Sequence, residues 1–196
     1  MSAHSPLILA SSSPRRLALL RQVGIEPARI ETPHIDEDPL PRELPRACVL
    51  RLAEAKAATV GARADPNDFI LAADTVVACG RRILPKAREK TEAERCLRLL
   101  SGRRHRVYTG VALMAPGARQ TARVIMTAVR FKRLSAQELD GYLASGEWEG
   151  KAGGYAIQGA AEAFVTAING SYSNVVGLPL AATVELLRGL GWQGRT

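Results

Sequence analysis

Several groups of residues in the chain have the types and spacing that chemistry needs. The first is the run Ser11-Ser12-Ser13-Pro14-Arg15-Arg16. Ser13 suits an N-cap and Pro14 the first helical position, so this run places hydroxyls and free backbone N–H groups at a helix N-terminus. An anion is favoured there by the helix dipole. Arginines in a first turn oppose that dipole, so the run is either a plain cap with two solvated cations or a phosphate site whose ligand compensates them. It is not a Walker A loop, because GxxxxGK[ST] is absent from the chain. The second group is Ala72-Ala73-Asp74-Thr75-Val76-Val77. A carboxylate in an otherwise apolar strand must meet water, a metal or a partner, since an unpaired buried charge is costly. The alternative is that the strand ends at Ala73 and Asp74 caps a turn.

The remaining groups are less specific by themselves. Lys56 falls on the apolar stripe of a helix, where snorkelling to solvent is the ordinary explanation. Lys86, between Pro85 and Ala87, and the acidic pair Asp36-Glu37 read equally as surface charges. In the segment Lys151-Ala-Gly-Gly-Tyr-Ala-Ile-Gln158-Gly159 the glycines permit close backbone approach or a sharp turn. The Gln158 amide has a donor and an acceptor that complement the O4 and N3–H edge of uracil or thymine, or it satisfies nearby backbone. His4, His34 and His105 lack metal or triad spacing, and Cys48, Cys79 and Cys96 form no CxxC pair, so the cysteines read as small core residues. G-x-S-x-G and GxGxxG are absent, which argues against serine hydrolases and dinucleotide binders.

These groups need a scaffold, and the composition supplies one. Of 196 residues, 46% are hydrophobic and 23% charged, enough for one packed α/β domain spanning 1–196 and too few for two independent enzymes. No apolar run approaches the ~20 residues a membrane helix needs, and the start lacks a signal peptide's pattern, so a cytoplasmic location is expected. The net charge of +8 suits an anionic partner. Many of the cations stand in separate pairs and aromatics make up only 5%, which favours a compact phosphorylated molecule over a stable nucleic-acid partner.

Periodicity places the elements. Leu7–Ala10 reads as a strand, followed by a helix from Pro14 with Leu17, Leu20 and Val23 inward, ending at Gly24. Ile25–Thr32 is expected to be extended, and the proline-rich 33–45 to be loop. A helix is expected over about 46–63, with Val49, Leu52, Ala53 and Lys56 on one stripe. A strand over 69–79 is expected to be interrupted at Asp74-Thr75, and Gly80–Arg82 to turn. Thr91–Glu94 reads as a capping box for a helix through Leu100, and Ser135–Glu138 as another. Strands over 106–114 and 121–131 form a hairpin at Pro116-Gly117. A strand over 163–168 and a helix over about 180–190 complete the chain.

Taken in order, the segments resemble the Maf family of nucleoside triphosphate pyrophosphatases. The matching runs are Leu9–Arg16, Asp36-Glu37, Ala55-Lys56-Ala57, Ala73–Val77, Leu99–Gly102, Lys151–Gly159, Asn169–Tyr172 and Val176–Leu180. The resemblance implies an inosine-triphosphate-pyrophosphatase-like fold, a mixed sheet with flanking helices and a cleft between two lobes. It implies hydrolysis of a nucleoside triphosphate to the monophosphate and pyrophosphate with a divalent cation, Mg²⁺ or Mn²⁺. The Tyr-x-Ile-Gln-Gly form resembles the branch acting on dTTP and UTP. The other readings are the same chemistry on 7-methyl-GTP or modified pyrimidine nucleotides, and a non-catalytic nucleic-acid-binding or regulatory module. By the resemblance Asp74 is the base, and Asp74 with Glu37 holds the metal. Arg15, Thr75 and Gln158 act in base selection, while Arg16, Lys56 and Lys86 join Ser11 and Ser13 around the phosphates. One departure stands out: the family usually has Gly or Glu before the middle-loop lysine and Pro after it, where this chain reads Pro85-Lys86-Ala87. The oligomeric state, a homodimer included, is open at this level.

Overall fold

The computed structural model describes residues 6–194, so His4 lies outside the described residues. Among these residues seven strands share one sheet: β1 (Leu7–Ala10), β2 (Arg29–Glu31), β3 (Phe69–Cys79), β4 (Arg82–Leu84), β5 (Arg104–Ala115), β6 (Arg119–Phe131) and β7 (Val165–Asn169). The spatial order is β2-β1-β3-β5-β6-β7, with β4 also on β3. β1 lies parallel to β2 and β3, and all other pairs are antiparallel. The helices are α1 (Pro14–Gln22), α2 (Pro45–Gly61), α3 (Lys90–Leu100), α4 (Ala136–Ser145), α5 (Tyr172–Val176) and α6 (Leu180–Gly189).

Two cores flank a cleft, as the two-lobe expectation requires. One gathers Leu7, Leu9 and Leu71 with Leu19 and Leu20 of α1 and Leu186 and Leu187 of α6. The other joins Val77, Val107 and Phe131 to α3, α4, Trp148 and Tyr155. α2 covers the opposite sheet face, with Ala53, Ala57 and Val60 against Ile70 and Ala72, and with Cys48, Val49 and Leu52 against Val76. Its close approach depends on Gly110 of β5, where a Cβ would stand 2.2 Å from the Val49 carbonyl oxygen.

The hairpin at Pro116-Gly117, the Ser135–Glu138 capping box and the buried stripe of α2 form as expected. Other details differ. α1 is rotated, so Arg16, Leu19 and Leu20 are buried and Val23 is exposed. β3 runs unbroken through Asp74 and Thr75. α3 starts at Lys90 with Glu89 as its N-cap, because the Glu92 carboxylate reaches back to the Arg88 N–H; Thr91 caps nothing. β2 is three residues long, and a 3₁₀ turn over Ala160–Phe164 delays β7 to Val165. β4 and α5 are too short to leave a periodic signal.

Candidate active site

The site lies where one edge of β3 loses its neighbour. β1 pairs with β3 up to Ala10↔Ala72, and β4 takes over only at Val77↔Leu84, so Ala73–Val76 have no strand on that side. The other edge stays paired with β5 through Asp74↔Gly110 and Thr75↔Thr109. Ligands in α/β sheets commonly bind where strand order breaks in this way. Because side chains alternate along a strand, Asp74 shares the face of Ala72 and Val76 beneath α2, and Thr75 turns toward α1 and α5. Both faces meet at the break.

On the Thr75 side, Ser11 follows β1 and its hydroxyl accepts the Ser13 N–H at 3.2 Å. The Ser13 side chain itself caps nothing, although its backbone is extended as an N-cap requires. Arg16 is buried at 9% exposure and donates to Gly177 O at 2.9 Å, Ser11 Oγ at 3.1 Å and Thr75 Oγ1 at 3.4 Å. None of these acceptors is charged. Burial pulls the Arg16 pKa below its ordinary value, partly offset by the fields of Asp74 and Glu37. Arg15 is half-buried, its pKa is also lowered by burial, and it has no hydrogen-bond partner among the described residues. Thr75 is fixed in turn by Thr109, hydroxyl to hydroxyl at 2.9 Å, and Thr109 donates to Asn174 O at 3.2 Å.

On the α2 side a chain of alternating charges runs Asp74–Lys56–Glu37–Lys86. Lys56, 4% exposed, does not snorkel: its ammonium lies 2.6 Å from Asp74 Oδ1 and 2.6 Å from Glu37 Oε1. The other Glu37 oxygen holds Lys86. Burial would raise the Glu37 pKa, but hydrogen bonds and attraction from both lysines outweigh it and hold the group at about 2. Asp74 is 2% exposed, and its Oδ2 has no protein donor among the described residues. Among those residues no group of three or more His, Cys, Asp or Glu side chains gathers as a metal cage. Two carboxylates reaching one ammonium nitrogen are an oxygen donor set of the kind Mg²⁺ uses with substrate phosphates and water.

The glycine-rich segment closes the cleft, and the Lys86 loop is laced to it. Ala87 N–H donates to Lys151 O at 3.1 Å, Gly150 N–H to Ala87 O at 2.8 Å and Gly153 N–H to Pro85 O at 3.0 Å. Gly153 has φ 68° and a Cβ there would meet Val77 Cγ1 at 2.9 Å, so only glycine lets the segment lie on β3. The resulting cleft, about 370 Å³, is lined by Ser11, Ser13, Arg15, Arg16, Glu37, Lys56, Thr75, Lys86 and Gln158. Asp74 lines an adjoining cavity of about 290 Å³ that shares Glu37, Thr75 and Lys86 with the first. The residues expected from sequence therefore converge, with Asp74 one step behind the rest.

Sequence reasoning missed three contributors. Lys151 lines the cleft, and burial followed by repulsion from Arg15 lowers its pKa. Its place in the Lys151–Gly159 run was the signal. Gly177, whose place in the Val176–Leu180 run was its signal, supplies the carbonyl that orients Arg16, and Asn174 supports Thr109 through a long-range contact that no local pattern marks.

The chain is similar to several known proteins. A protein 59% identical over 193 residues, 98% of this chain and 100% of its own length, is the dTTP/UTP pyrophosphatase of Caulobacter vibrioides. The dTTP/UTP pyrophosphatase of Paramagnetospirillum magneticum is 59% identical over 95% of this chain and 97% of its own. A nucleoside-triphosphatase / dITP/XTP pyrophosphatase from Mycobacterium abscessus overlays on 66% of this chain and 76% of its own, with 19% identity and a TM-score of 0.42. The family model described as Maf-like protein matches residues 6–190, a span that takes in both walls of the cleft and the break in the sheet between them, and the chain belongs to that family.

Proposed function

We propose that this protein hydrolyses dTTP and UTP to the corresponding monophosphate and pyrophosphate. The observation that carries the reading is Arg16, a buried guanidinium whose partners are all neutral, opening on a cleft that also holds Lys56, Lys86 and Lys151. A buried cation without a counter-ion is costly, and a phosphate chain completes it. Relatives of nearly the same length and 59% identity bear the name dTTP/UTP pyrophosphatase.

The chemistry follows from the residues present. A water oxygen bonds to the α-phosphorus while the bridging oxygen to the β-phosphorus departs with pyrophosphate. Asp74 Oδ2 takes the water's proton, and Lys56 holds the other Asp74 oxygen so that the carboxylate keeps its aim. Arg16 and Lys86 stabilise charge on the separating pyrophosphate, and Ser11 and Ser13 face the phosphates at the start of α1. Lys86, held by one Glu37 oxygen, has further N–H donors to offer the phosphates. Glu37 and Asp74 are the residues that would hold Mg²⁺ or Mn²⁺, which when bound would neutralise phosphate charge. Arg15, Thr75 and Gln158 line the wall where the base is chosen, the Gln158 amide meeting the pyrimidine edge.

The test is a panel of nucleoside triphosphates with Mg²⁺ or Mn²⁺, scoring pyrophosphate against orthophosphate. Pyrophosphate and monophosphate from dTTP and UTP are expected. Orthophosphate release, or a purine nucleotide as the best substrate, would overturn the assignment.

A further inference from the structure

Gln158 is exposed to the cleft and its side chain makes no hydrogen bond among the described residues, so its aim depends on the backbone to either side. That backbone is held at two points. The Ala156 N–H donates to the Tyr142 hydroxyl at 3.1 Å, and the Ala160 N–H donates to the Glu147 carboxylate at 2.8 Å. Both holders come from α4 and the turn that follows it. Gly159 lies directly under the carboxylate: a Cβ there would stand 2.0 Å from Glu147 Oε2, so any side chain would push Glu147 off. The support is itself stiff. The Ser135–Glu138 box caps α4, Gly146 ends it at φ 72°, and the Trp148 indole N–H donates to Leu143 O at 3.0 Å. Tyr142 also packs edge-on against Phe164, with ring centroids 5.4 Å apart.

We infer that Tyr142 and Glu147 are positioning residues for base selection, fixing the two ends of Ala156–Ala160 so that the Gln158 amide faces the base. The inference rests on the reading of Gln158 given above. Neither side chain touches substrate; each acts through one backbone amide. The Glu147 contact is charge-assisted and so the stronger of the two. Without either contact the segment can shift, and the Gln158 amide loses its contact with the base, an interaction made equally in the ground and transition states and therefore lost from KM.

The experiment measures kcat and KM for dTTP, UTP and CTP in Glu147→Ala, Tyr142→Phe, Glu147→Gln and Gln158→Ala. In Glu147→Ala and Tyr142→Phe, KM for dTTP should rise on the order of tenfold with kcat within about twofold. The preference for dTTP over CTP in kcat/KM should fall by a similar factor. Glu147→Gln keeps an acceptor and should stay near the parent protein. Equal losses on all three nucleotides, or unchanged preference, would mark the two residues as merely structural and overturn the inference. If Gln158→Ala shifts the preference and the two variants do not, this inference alone fails. If Gln158→Ala leaves the preference intact, the reading of Gln158 fails and the inference with it.

Discussion

Replacing Arg16 with methionine separates what the guanidinium does for the fold from what it does for a phosphate. In that variant Gly177 O, which lines the cleft, is open to water, and Ser11 Oγ keeps the Ser13 N–H at 3.2 Å. Neither acceptor is stranded, so the lost hydrogen bonds cost about 1–3 kcal/mol. Against that stands the removal of a buried charge with no carboxylate partner, whose desolvation costs several kcal/mol. The unfolding free energy in phosphate-free buffer should therefore stay within about 2 kcal/mol of the parent protein, with either sign. Ligand binding should respond in one direction only. A charge-assisted contact to phosphate contributes about 1.5–3 kcal/mol, roughly 10- to 150-fold in affinity. Urea unfolding with and without pyrophosphate reads both quantities. At a concentration about 100 times its Kd, pyrophosphate should stabilise the parent protein by about 2.7 kcal/mol, and at that same concentration it should stabilise the variant by about 0.3–1.4 kcal/mol. A variant that loses more than about 4 kcal/mol without ligand, yet keeps the full pyrophosphate increment, would show that Arg16 serves the fold and that the unpaired-charge reasoning is wrong.

Three further expectations can be checked directly. Asp74→Asn should keep the fold, by circular dichroism, and lose on the order of 10²–10⁴ in kcat; full turnover would remove Asp74 as the base. Gly110→Ala forces a methyl to within 2.2 Å of the Val49 carbonyl oxygen, and thermal unfolding should show a loss of about 3 kcal/mol or more as α2 is lifted from the sheet. His105, buried at 1% exposure, has its pKa pushed down to about 4 by burial. The unfolded chain takes up that proton near pH 6.5 and the native state does not. Stability should therefore be lost as pH falls from about 6.5 toward 4, by up to about 3 kcal/mol. Urea melts of His105→Phe across that window should lack this component.

Local chemistry was legible where it was self-contained. The Ser135–Glu138 box and the Pro116-Gly117 hairpin need only neighbours in sequence, and both form. α1 was misread because its inward face includes Arg16, a residue no hydrophobic period selects; the acceptors that make its burial tolerable, Thr75 and Gly177, come from distant segments. The expected interruption of β3 failed for the same reason. Asp74 can sit mid-strand because Lys56, from the stripe of α2, meets it at 2.6 Å. Each residue looked anomalous alone, and each accounts for the other. Thr91 misled differently, since two overlapping acidic positions could both reach back and Glu92 is the one that does. The expectation that the candidate residues gather in one cleft rests on the order of the weak motifs taken together, which carries the pairing information that single spacings lack.

Position 87 is alanine, so the chain has a peptide hydrogen, which a proline would not supply, at the junction of the two cleft walls. The Ala87 N–H is fully buried and bonded to Lys151 O, while Gly150 N–H returns the bond to Ala87 O. Its deuterium uptake is therefore a site-specific clock for how often the Lys86 loop lifts away from the glycine-rich segment. The chain carries its own reporter on the opening of the cleft, readable without an attached probe and without turnover.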